Sequence, residues 1–410
     1  MVYVRQEKLP GLKKYKYNGV DHSLLSRYVL KPFYTNFVIK CFPLWMAPNL
    51  ITLTGFSFVV VNVLTLLWYT PSLDQDCPSW VYYSWAVGLF LYQTFDAVDG
   101  TQARRTRQSG PLGELFDHGV DAVNTSLEVL VFAASQNLGM GWKTVMVLFG
   151  CTSPNLLRPN LGRVPHQDPN TRPRRRPGRG RVMLCLVYAF TGYVGGGSFW
   201  QQSTFAALHV PKYAFIPDII YNMHWDEWYM VQGGLVLTYN TISAALNVVR
   251  IRRERGQRPH VAPLRLIPFF VTWTLIPTYL YLQPVILNEH LVPFVFFAGL
   301  VNAYSVGQMI TAHLVQLDFP YYNVLILPLA YGVFDSLGPV LQEHVGVGWP
   351  SALGGGVYQV AYLFCMLGCA IGVYGSFVVD VIVTICDYLD IWCLTIKHPY
   401  TEGDELKKQS

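Results

Sequence analysis

Ten apolar segments long enough to cross a bilayer recur along this 410-residue chain. A transmembrane helix needs about 20 mostly apolar residues. Because no water in the bilayer core can satisfy backbone polar groups, such segments fold as helices. Charged residues make up only 13% of the chain, against roughly 25% in soluble domains. The sequence therefore predicts an all-α, polytopic membrane protein with about ten transmembrane helices, at about 49–69, 79–95, 118–138, 142–158, 181–200, 228–249, 263–287, 291–314, 322–341 and 352–386.

The distribution of Lys and Arg predicts the orientation of these helices. Basic residues cluster in the N-terminal segment, at 104–107, at 172–181 and at 250–258, whereas the loop at 70–78 has none. With ten spans, all these clusters and both termini lie on one side, which the positive-inside rule assigns to the cytoplasm. Residues 1–48 are then cytosolic or interfacial, with an N-terminal interfacial amphipathic helix predicted at 22–45 and broken near Pro32.

The C-terminal tail, residues 395–410, is predicted to be cytosolic. Lys407 and Lys408 stand fourth and third from its end. This pattern resembles a dilysine retrieval signal for the endoplasmic reticulum, and it equally fits a solvated charged tail.

Four carboxylates and one imidazole lie within residues 96–121, from the end of the second apolar segment to the first residues of the third. Asp96 and Asp99 are three residues apart, and Asp117 and Asp121 are four apart. On helices, each pair shares one face. Carboxylates are hard oxygen donors that suit Mg²⁺ or Mn²⁺. Two facing helix ends could therefore hold two such ions, which together can clamp the attacking and leaving oxygens of a phosphoryl displacement.

Small and basic residues between the carboxylates suit a phosphate ligand. Gly100, Ala103 and Gly113 leave room for close approach of a phosphate, and Arg104 offers it a fixed positive charge. His118 is the candidate proton acceptor, because metal-bound carboxylates are poor bases. Asp121 is the rival base.

The whole pattern, D-x2-D-G-x2-A-R-x8-G-x3-D-x3-D at 96–121, resembles the signature of the CDP-alcohol phosphotransferases at every fixed position. Other segments resemble the eukaryotic choline/ethanolamine phosphotransferases of that family. They are Ala47-Pro-Asn-Leu-Ile-Thr52, Gly113-Glu-Leu-Phe-Asp-His-Gly119, Gly195-Gly-Gly-Ser-Phe-Trp-Gln-Gln202 and Asp387-Tyr-Leu-Asp-Ile-Trp392.

The resemblance implies transfer of phosphocholine or phosphoethanolamine from the CDP-alcohol to diacylglycerol, with release of CMP. It also implies two Mg²⁺ or Mn²⁺ ions, a homodimer, and residence in the endoplasmic reticulum or Golgi membrane. The net charge of +5 fits cytoplasmic loops in contact with anionic lipid, so no nucleic-acid partner is expected. The resemblance assigns proton acceptance to His118 and contact with the CDP-alcohol to Asn49, Tyr92 and Glu114. Glu114 could instead orient the His118 imidazole, and Tyr92 could simply pack within its span.

One stretch departs from the family pattern. It runs from about 151 to 181 and includes an Arg- and Pro-rich run at 172–181. The sequence thus divides into a catalytic core at 49–158, an atypical basic segment at 159–180 that is predicted to be disordered, and the remaining transmembrane helices at 181–394. The departure fits either a divergent loop or non-coding sequence translated into the chain. It leaves open a catalytically impaired family member; a different CDP-alcohol and a cation transporter are further alternatives.

Overall fold

In a computed structural model of the chain, the described residues are 3–4, 6–14, 28, 30–162, 177–213, 215–254 and 267–399. Apart from two isolated β-bridges, all of their regular secondary structure is helical, which confirms the predicted all-α class. The α-helices in chain order are α1 (Lys31–Asn36), α2 (Pro48–Tyr69), α3 (Ser79–Arg105), α4 (Pro111–Ser135), α5 (Trp142–Gly162), α6 (Pro177–Val194), α7 (Thr204–Ala207), α8 (Asp218–Tyr221), α9 (Trp225–Glu254), α10 (Ile267–Leu282), α11 (Pro284–Glu289), α12 (Leu291–Leu314), α13 (Ile326–Val345) and α14 (Val357–Leu389). Short 3₁₀ helices lie at Gln6–Lys14, Val38–Cys41 and Gly197–Gln201.

Each of the ten predicted spans overlaps one of these helices. Within the described ranges, three helices are both long and apolar enough to cross a membrane by length and composition, namely α2, α12 and α14. A stretch within α6, Gly180–Val194, and all of α10 are apolar but shorter. The structure thus supports an integral membrane protein, while the full count of ten transmembrane helices remains a prediction.

The N-terminal region is only partly described. Within the predicted amphipathic stretch, the described part forms the short helix α1 and the 3₁₀ turn that follows it, and α1 begins at Lys31 beside Pro32. Tyr34 and Phe42 are buried against Ile51 and Val98, while Phe37 is exposed. One face of this stretch therefore packs on α2 and α3. Residues 15–27, which include the start of the predicted helix, lie outside the described residues.

The basic segment predicted at 159–180 overlaps the ends of two helices. Helix α5 continues to Gly162, and α6 begins at Pro177, four residues before the predicted span. Residues 163–176, which hold four of the six arginines of the Arg-rich run, lie outside the described residues, as do Lys407 and Lys408 in the tail.

Helix α3 packs against α2 and α6, and α12 packs against α4 and α14. Small residues permit the closest crossings, as is common between membrane helices. A Cβ atom built on Gly55 of α2 would lie 2.8 Å from the Cβ of Phe95 on α3. A Cβ atom on Gly299 of α12 would lie 2.6 Å from that of Ser126 on α4.

We expect Gly55→Ala to destabilise the protein by about 1–3 kcal/mol, the usual cost of forcing an extra carbon into a packed crossing. The clash meets the Cβ atom of Phe95, which cannot swing aside without moving α3. Thermal unfolding in detergent would measure the loss. Gly368→Ala on α14 is the matched control, since nothing lies within 4 Å of its added carbon. Equal unfolding temperatures for the two variants would show that the α2–α3 crossing is loose.

Asp76 ties together the loops at one end of this bundle. Its carboxylate accepts hydrogen bonds from the Asn137 side chain at 2.8 Å and from the Ser198 backbone at 2.9 Å. Burial opposes ionisation of Asp76, but these donors and the Gly197 amide outweigh it and lower the pKa of the carboxyl group below its usual value. The ionised form therefore holds the α2–α3 loop against the ends of α4 and α6.

Two acidic residues in the late helices have structural partners. The Asp335 carboxylate on α13 is buried and accepts hydrogen bonds from the Ala352 backbone at 2.6 Å and from the Ser351 hydroxyl. Asp380 on α14 accepts a hydrogen bond from the backbone of Tyr3 at 2.9 Å. These carboxylates fasten a loop and the N-terminal segment to the helical core.

Candidate active site

The four carboxylates of the sequence motif converge where α3 ends and α4 begins. Asp96 and Asp99 occupy the last turns of α3, which extends to Arg105, and Asp117 and Asp121 follow the start of α4 at Pro111. Proline at the first helical position and an extended Gly110 before it define that start. Because the connection between the two helices is only five residues long, it turns the carboxylate faces towards each other.

Ligand atoms in this cluster are close enough to share an ion. One oxygen from each of Asp96, Asp99 and Asp117 lies within 4.8 Å of the other two, and so do single ligand atoms of Asp117, His118 and Asp121. Asp117 belongs to both groups and links the two halves of the cluster. The structure thus brings together all four carboxylates and the imidazole that the sequence singled out.

Three of these carboxylates each contact a polar side chain on a neighbouring helix or on their own helix. Thr52 on α2 donates its hydroxyl proton to Asp99, and the Tyr92 hydroxyl donates to Asp121 at 2.6 Å. His118 Nδ1 lies 3.5 Å from an oxygen of Asp117. These contacts fix the ligand oxygens before any ion arrives.

The cluster fits a divalent cation on chemical grounds. One oxygen of Asp96, Oδ1, is buried and has no hydrogen-bond partner in the described part of the chain. A buried carboxylate oxygen without a partner is costly, and several carboxylates so close together repel one another. An ion bound by oxygen ligands removes both costs, so the donor set suits Mg²⁺ or Mn²⁺.

The structure also places a positive side chain inside the cluster. Arg181, in α6, donates from Nη1 to Asp96 at 2.6 Å and from Nη2 to Asp121. Its guanidinium carbon lies 5.2 Å from the centre of the Tyr92 ring. The sequence interpretation missed this residue, because it stands at the end of the Arg-rich run. The available signal was that this arginine occupies the first position of a predicted apolar span.

The end of α3 is held in place by the segment before α2. Gln102 donates to the carbonyl oxygens of Pro43 at 2.9 Å and Met46 at 3.0 Å. Arg105 donates to those of Ile39 and Phe42, both at 3.0 Å. These bonds position the turn of α3 that carries Asp99.

The other candidate substrate residues surround the acids with varied contacts. The Asn49 amide donates to the carbonyl oxygen of Cys393 at 3.0 Å, one helical turn before Thr52. Arg104 is exposed and donates to the Thr101 hydroxyl at 3.1 Å.

The small residues beside the acids leave open space. No atom lies within 4 Å of a Cβ atom built on Gly113, and Glu114 follows it in the first turn of α4. Near Gly100, the closest atom to such a Cβ is Arg104 Nη1, at 3.8 Å, and Ala103 is half-buried.

A second polar layer lies deeper on the same face of α4. Glu128 is buried and accepts a hydrogen bond from the Tyr188 hydroxyl at 3.0 Å. Asn124, between Asp121 and Glu128 along the helix, is also buried, and its Oδ1 has no partner among the described residues. The polar surface therefore continues from the acidic cluster towards the interior.

Comparison with known proteins identifies the family. A family model described as CDP-alcohol phosphatidyltransferase matches residues 45–210, a range that contains the whole acidic cluster. Choline/ethanolaminephosphotransferase 1 of Saccharomyces cerevisiae is 33% identical over 409 residues, which cover 96% of this chain and 98% of the relative. The chain belongs to the CDP-alcohol phosphatidyltransferase family.

Two further relatives show how the family varies in its named alcohol. Cholinephosphotransferase 1 of S. cerevisiae is 34% identical over 413 residues, covering 97% of this chain and 98% of that protein. Ethanolaminephosphotransferase 1 of Mus musculus is 31% identical over 340 residues, covering 80% and 81% of the two chains. These matches confirm the resemblance carried by the motif, and they disfavour a cation transporter.

Proposed function

We propose that this chain is a membrane enzyme that transfers phosphocholine or phosphoethanolamine from the CDP-alcohol to diacylglycerol. The products are phosphatidylcholine or phosphatidylethanolamine, and CMP. The observation that carries the proposal is the convergence of Asp96, Asp99, Asp117 and Asp121 from two facing helices, in a chain whose relatives are named for these alcohols.

The four carboxylates are the proposed ligands of two Mg²⁺ or Mn²⁺ ions. When bound, such ions would neutralise the donor diphosphate and the departing CMP. The unpartnered Asp96 oxygen and the position of Asp117 in both groups of ligand atoms support this assignment.

His118 is the proposed proton acceptor. As the diacylglycerol oxygen bonds to the β-phosphorus, its proton passes to the imidazole, and the bond from that phosphorus to the CMP oxygen breaks. Asp121 is the weaker candidate, since its carboxylate already accepts hydrogen bonds from Tyr92 and Arg181. His118 is partly exposed, with about 31% of its side-chain surface accessible, so a substrate hydroxyl can reach it.

The CDP-alcohol is proposed to lie against the small and basic residues around the acids. Gly100, Ala103 and Gly113 provide room at the backbone, and the exposed Arg104 guanidinium offers charge to a phosphate oxygen. Asn49, Tyr92 and Glu114 are the proposed polar contacts to the rest of the donor. Tyr92 would act partly through Asp121, to which it donates.

The membrane setting follows from the same proposal. We place about ten transmembrane helices in an endoplasmic reticulum or Golgi membrane, with the acidic cluster facing the cytosol, where a soluble nucleotide donor arrives. Residues 1–48 form the interfacial segment, 49–158 the catalytic core, 159–180 the basic segment, 181–394 the remaining helices and 395–410 the tail. A homodimer is the proposed assembly.

The direct test uses purified full-length protein in detergent with Mg²⁺ and diacylglycerol. CDP-choline and CDP-ethanolamine, each labelled in the alcohol, are supplied separately, and labelled lipid is separated by thin-layer chromatography. We expect labelled phosphatidylcholine, phosphatidylethanolamine or both, and none when diacylglycerol is omitted. The ratio of the two rates gives the alcohol preference. Absence of labelled lipid with either donor would overturn the proposal.

A further inference from the structure

Among the described residues, Arg181 is the cation that forms ion pairs with the carboxylates of the cluster from another helix. Its two terminal nitrogens bind different carboxylates, Asp96 on α3 and Asp121 on α4. One guanidinium thus bridges the two helices that supply the proposed metal ligands. About 20% of the Arg181 side-chain surface is exposed, against 17% for Asp96 and 31% for Asp121, so solvent screens these ion pairs only partly, and the pair with Asp96 least.

The Tyr92 ring fixes this position from another side. The guanidinium carbon lies 5.2 Å from the centre of the ring, within the range of a cation–π contact. The same ring's hydroxyl donates to Asp121. Arg181, Tyr92 and Asp121 therefore form one connected group of contacts.

Bound metal and bound Arg181 draw on the same two carboxylates, those of Asp96 and Asp121. Asp96 Oδ2 and Asp121 Oδ1 each carry an Arg181 hydrogen bond, and both residues belong to groups of ligand atoms that could hold an ion. A carboxylate oxygen directed at a guanidinium proton is not free to coordinate a divalent ion in the same direction. The positive charge of the Arg181 guanidinium also repels that of a divalent ion bound to the same carboxylates.

We propose that Arg181 is a resident cation of the active site, which holds the carboxylates of α3 and α4 together in the absence of metal and competes with the divalent ion for Asp96 and Asp121. This inference rests on the proposed metal site. Arg181 therefore acts through the carboxylates as a positioning residue. It raises the metal concentration needed for occupancy and stabilises the metal-free protein.

The test measures the affinity of the full-length protein in detergent for Mn²⁺. The signal of free Mn²⁺ in electron paramagnetic resonance reports how much of the ion is bound. We expect Arg181→Gln to bind Mn²⁺ about tenfold more tightly, because charge-assisted hydrogen bonds no longer have to be broken. Arg104→Gln removes the same charge from an arginine that contacts Thr101, and we expect less than about a twofold change. Without metal, Arg181→Gln should unfold at a lower temperature than the wild type. Mn²⁺ should raise the unfolding temperature of the variant by more than it raises that of the wild type.

A second measurement needs no variant, so it tests the competition between Arg181 and the ion even if Arg181→Gln does not fold. Phenylglyoxal modifies accessible guanidinium groups, and mass spectrometry reports the rate for each arginine. In wild-type protein, Mn²⁺ should accelerate modification of Arg181 relative to Arg104, since the ion displaces Arg181 from the carboxylates. An unchanged or slower rate at Arg181 would overturn the competition.

The outcomes separate this inference from the metal site beneath it. If wild type and Arg181→Gln bind Mn²⁺ with equal affinity, the competition is wrong and the metal site stands. If neither protein binds Mn²⁺, the metal site itself is wrong, and the inference falls with it. Weaker binding by Arg181→Gln would show that Arg181 helps to assemble the site for the ion, which also contradicts competition.

Discussion

Replacing Asp96 with asparagine is expected to lower the rate of phospholipid synthesis by at least about 1000-fold. The substitution keeps the size of the side chain and removes its charge. Asp96 is the carboxylate with a buried oxygen that has no partner in the described residues, and it sits beside Asp99 and Asp117. A catalytic metal stabilises several kcal/mol of developing charge, and each 1.4 kcal/mol is worth tenfold in rate.

The measurement for Asp96→Asn is the initial rate of labelled lipid formation together with Mn²⁺ affinity, and both should fall. Asp335→Asn is the matched control. Asp335 is also buried, but its carboxylate accepts from the Ala352 backbone and the Ser351 hydroxyl, far along the chain on α13. The control should lose stability without a change in Mn²⁺ affinity. A loss of less than tenfold in the Asp96→Asn rate would show that this carboxylate is not a metal ligand.

Replacing His118 with alanine is expected to lower the rate by about 10²–10⁴, the usual contribution of a positioned general base. Mn²⁺ affinity should stay close to that of the wild type. This second expectation matters because His118 also lies in a group of possible ligand atoms with Asp117 and Asp121. A proton acceptor and a metal ligand therefore predict different binding results from the same variant.

The readouts are the rate at saturating metal and the Mn²⁺ dissociation constant. His344→Ala is the control, since that exposed imidazole on α13 contacts only its own helix, at the Val340 carbonyl, in the described structure. We expect it to leave both quantities unchanged. A parallel loss of rate and Mn²⁺ affinity in His118→Ala would reassign His118 as a ligand and make Asp121 the stronger candidate for the base.

The ten predicted spans all overlap helices of the described structure, because an apolar segment satisfies its backbone polar groups most readily as a helix. Only three of those helices are both long and apolar enough to cross a membrane by length and composition. The sequence also placed the acids correctly on shared helix faces, since spacings of three and four residues follow directly from helical geometry. The end of α3 was harder to predict. Its last turns, from Asp96 to Arg105, are polar, and a polar stretch after a span is equally compatible with helix or loop.

Long-range contacts could not be predicted from a single sequence. Thr52 is 47 residues from Asp99, and Arg181 is 85 residues from Asp96. Neither pairing leaves a periodic pattern, because each depends on how α2 and α6 pack against α3. Arg181 was further hidden by the basic residues before it, which suggested a solvated segment. Only the packing of α6 on α3 shows that this arginine points into the cluster.

The most direct test of the account measures Mn²⁺ occupancy and CMP release on the same metal-free wild-type protein. Metal is removed with a chelator and dialysis, and Mn²⁺ is then added stepwise with donor and diacylglycerol present. We predict no CMP release without metal, and a rate that rises in parallel with occupancy up to two ions per chain. Full CMP release by the metal-free protein would contradict the account, because the four carboxylates would then have a role other than binding the catalytic ions.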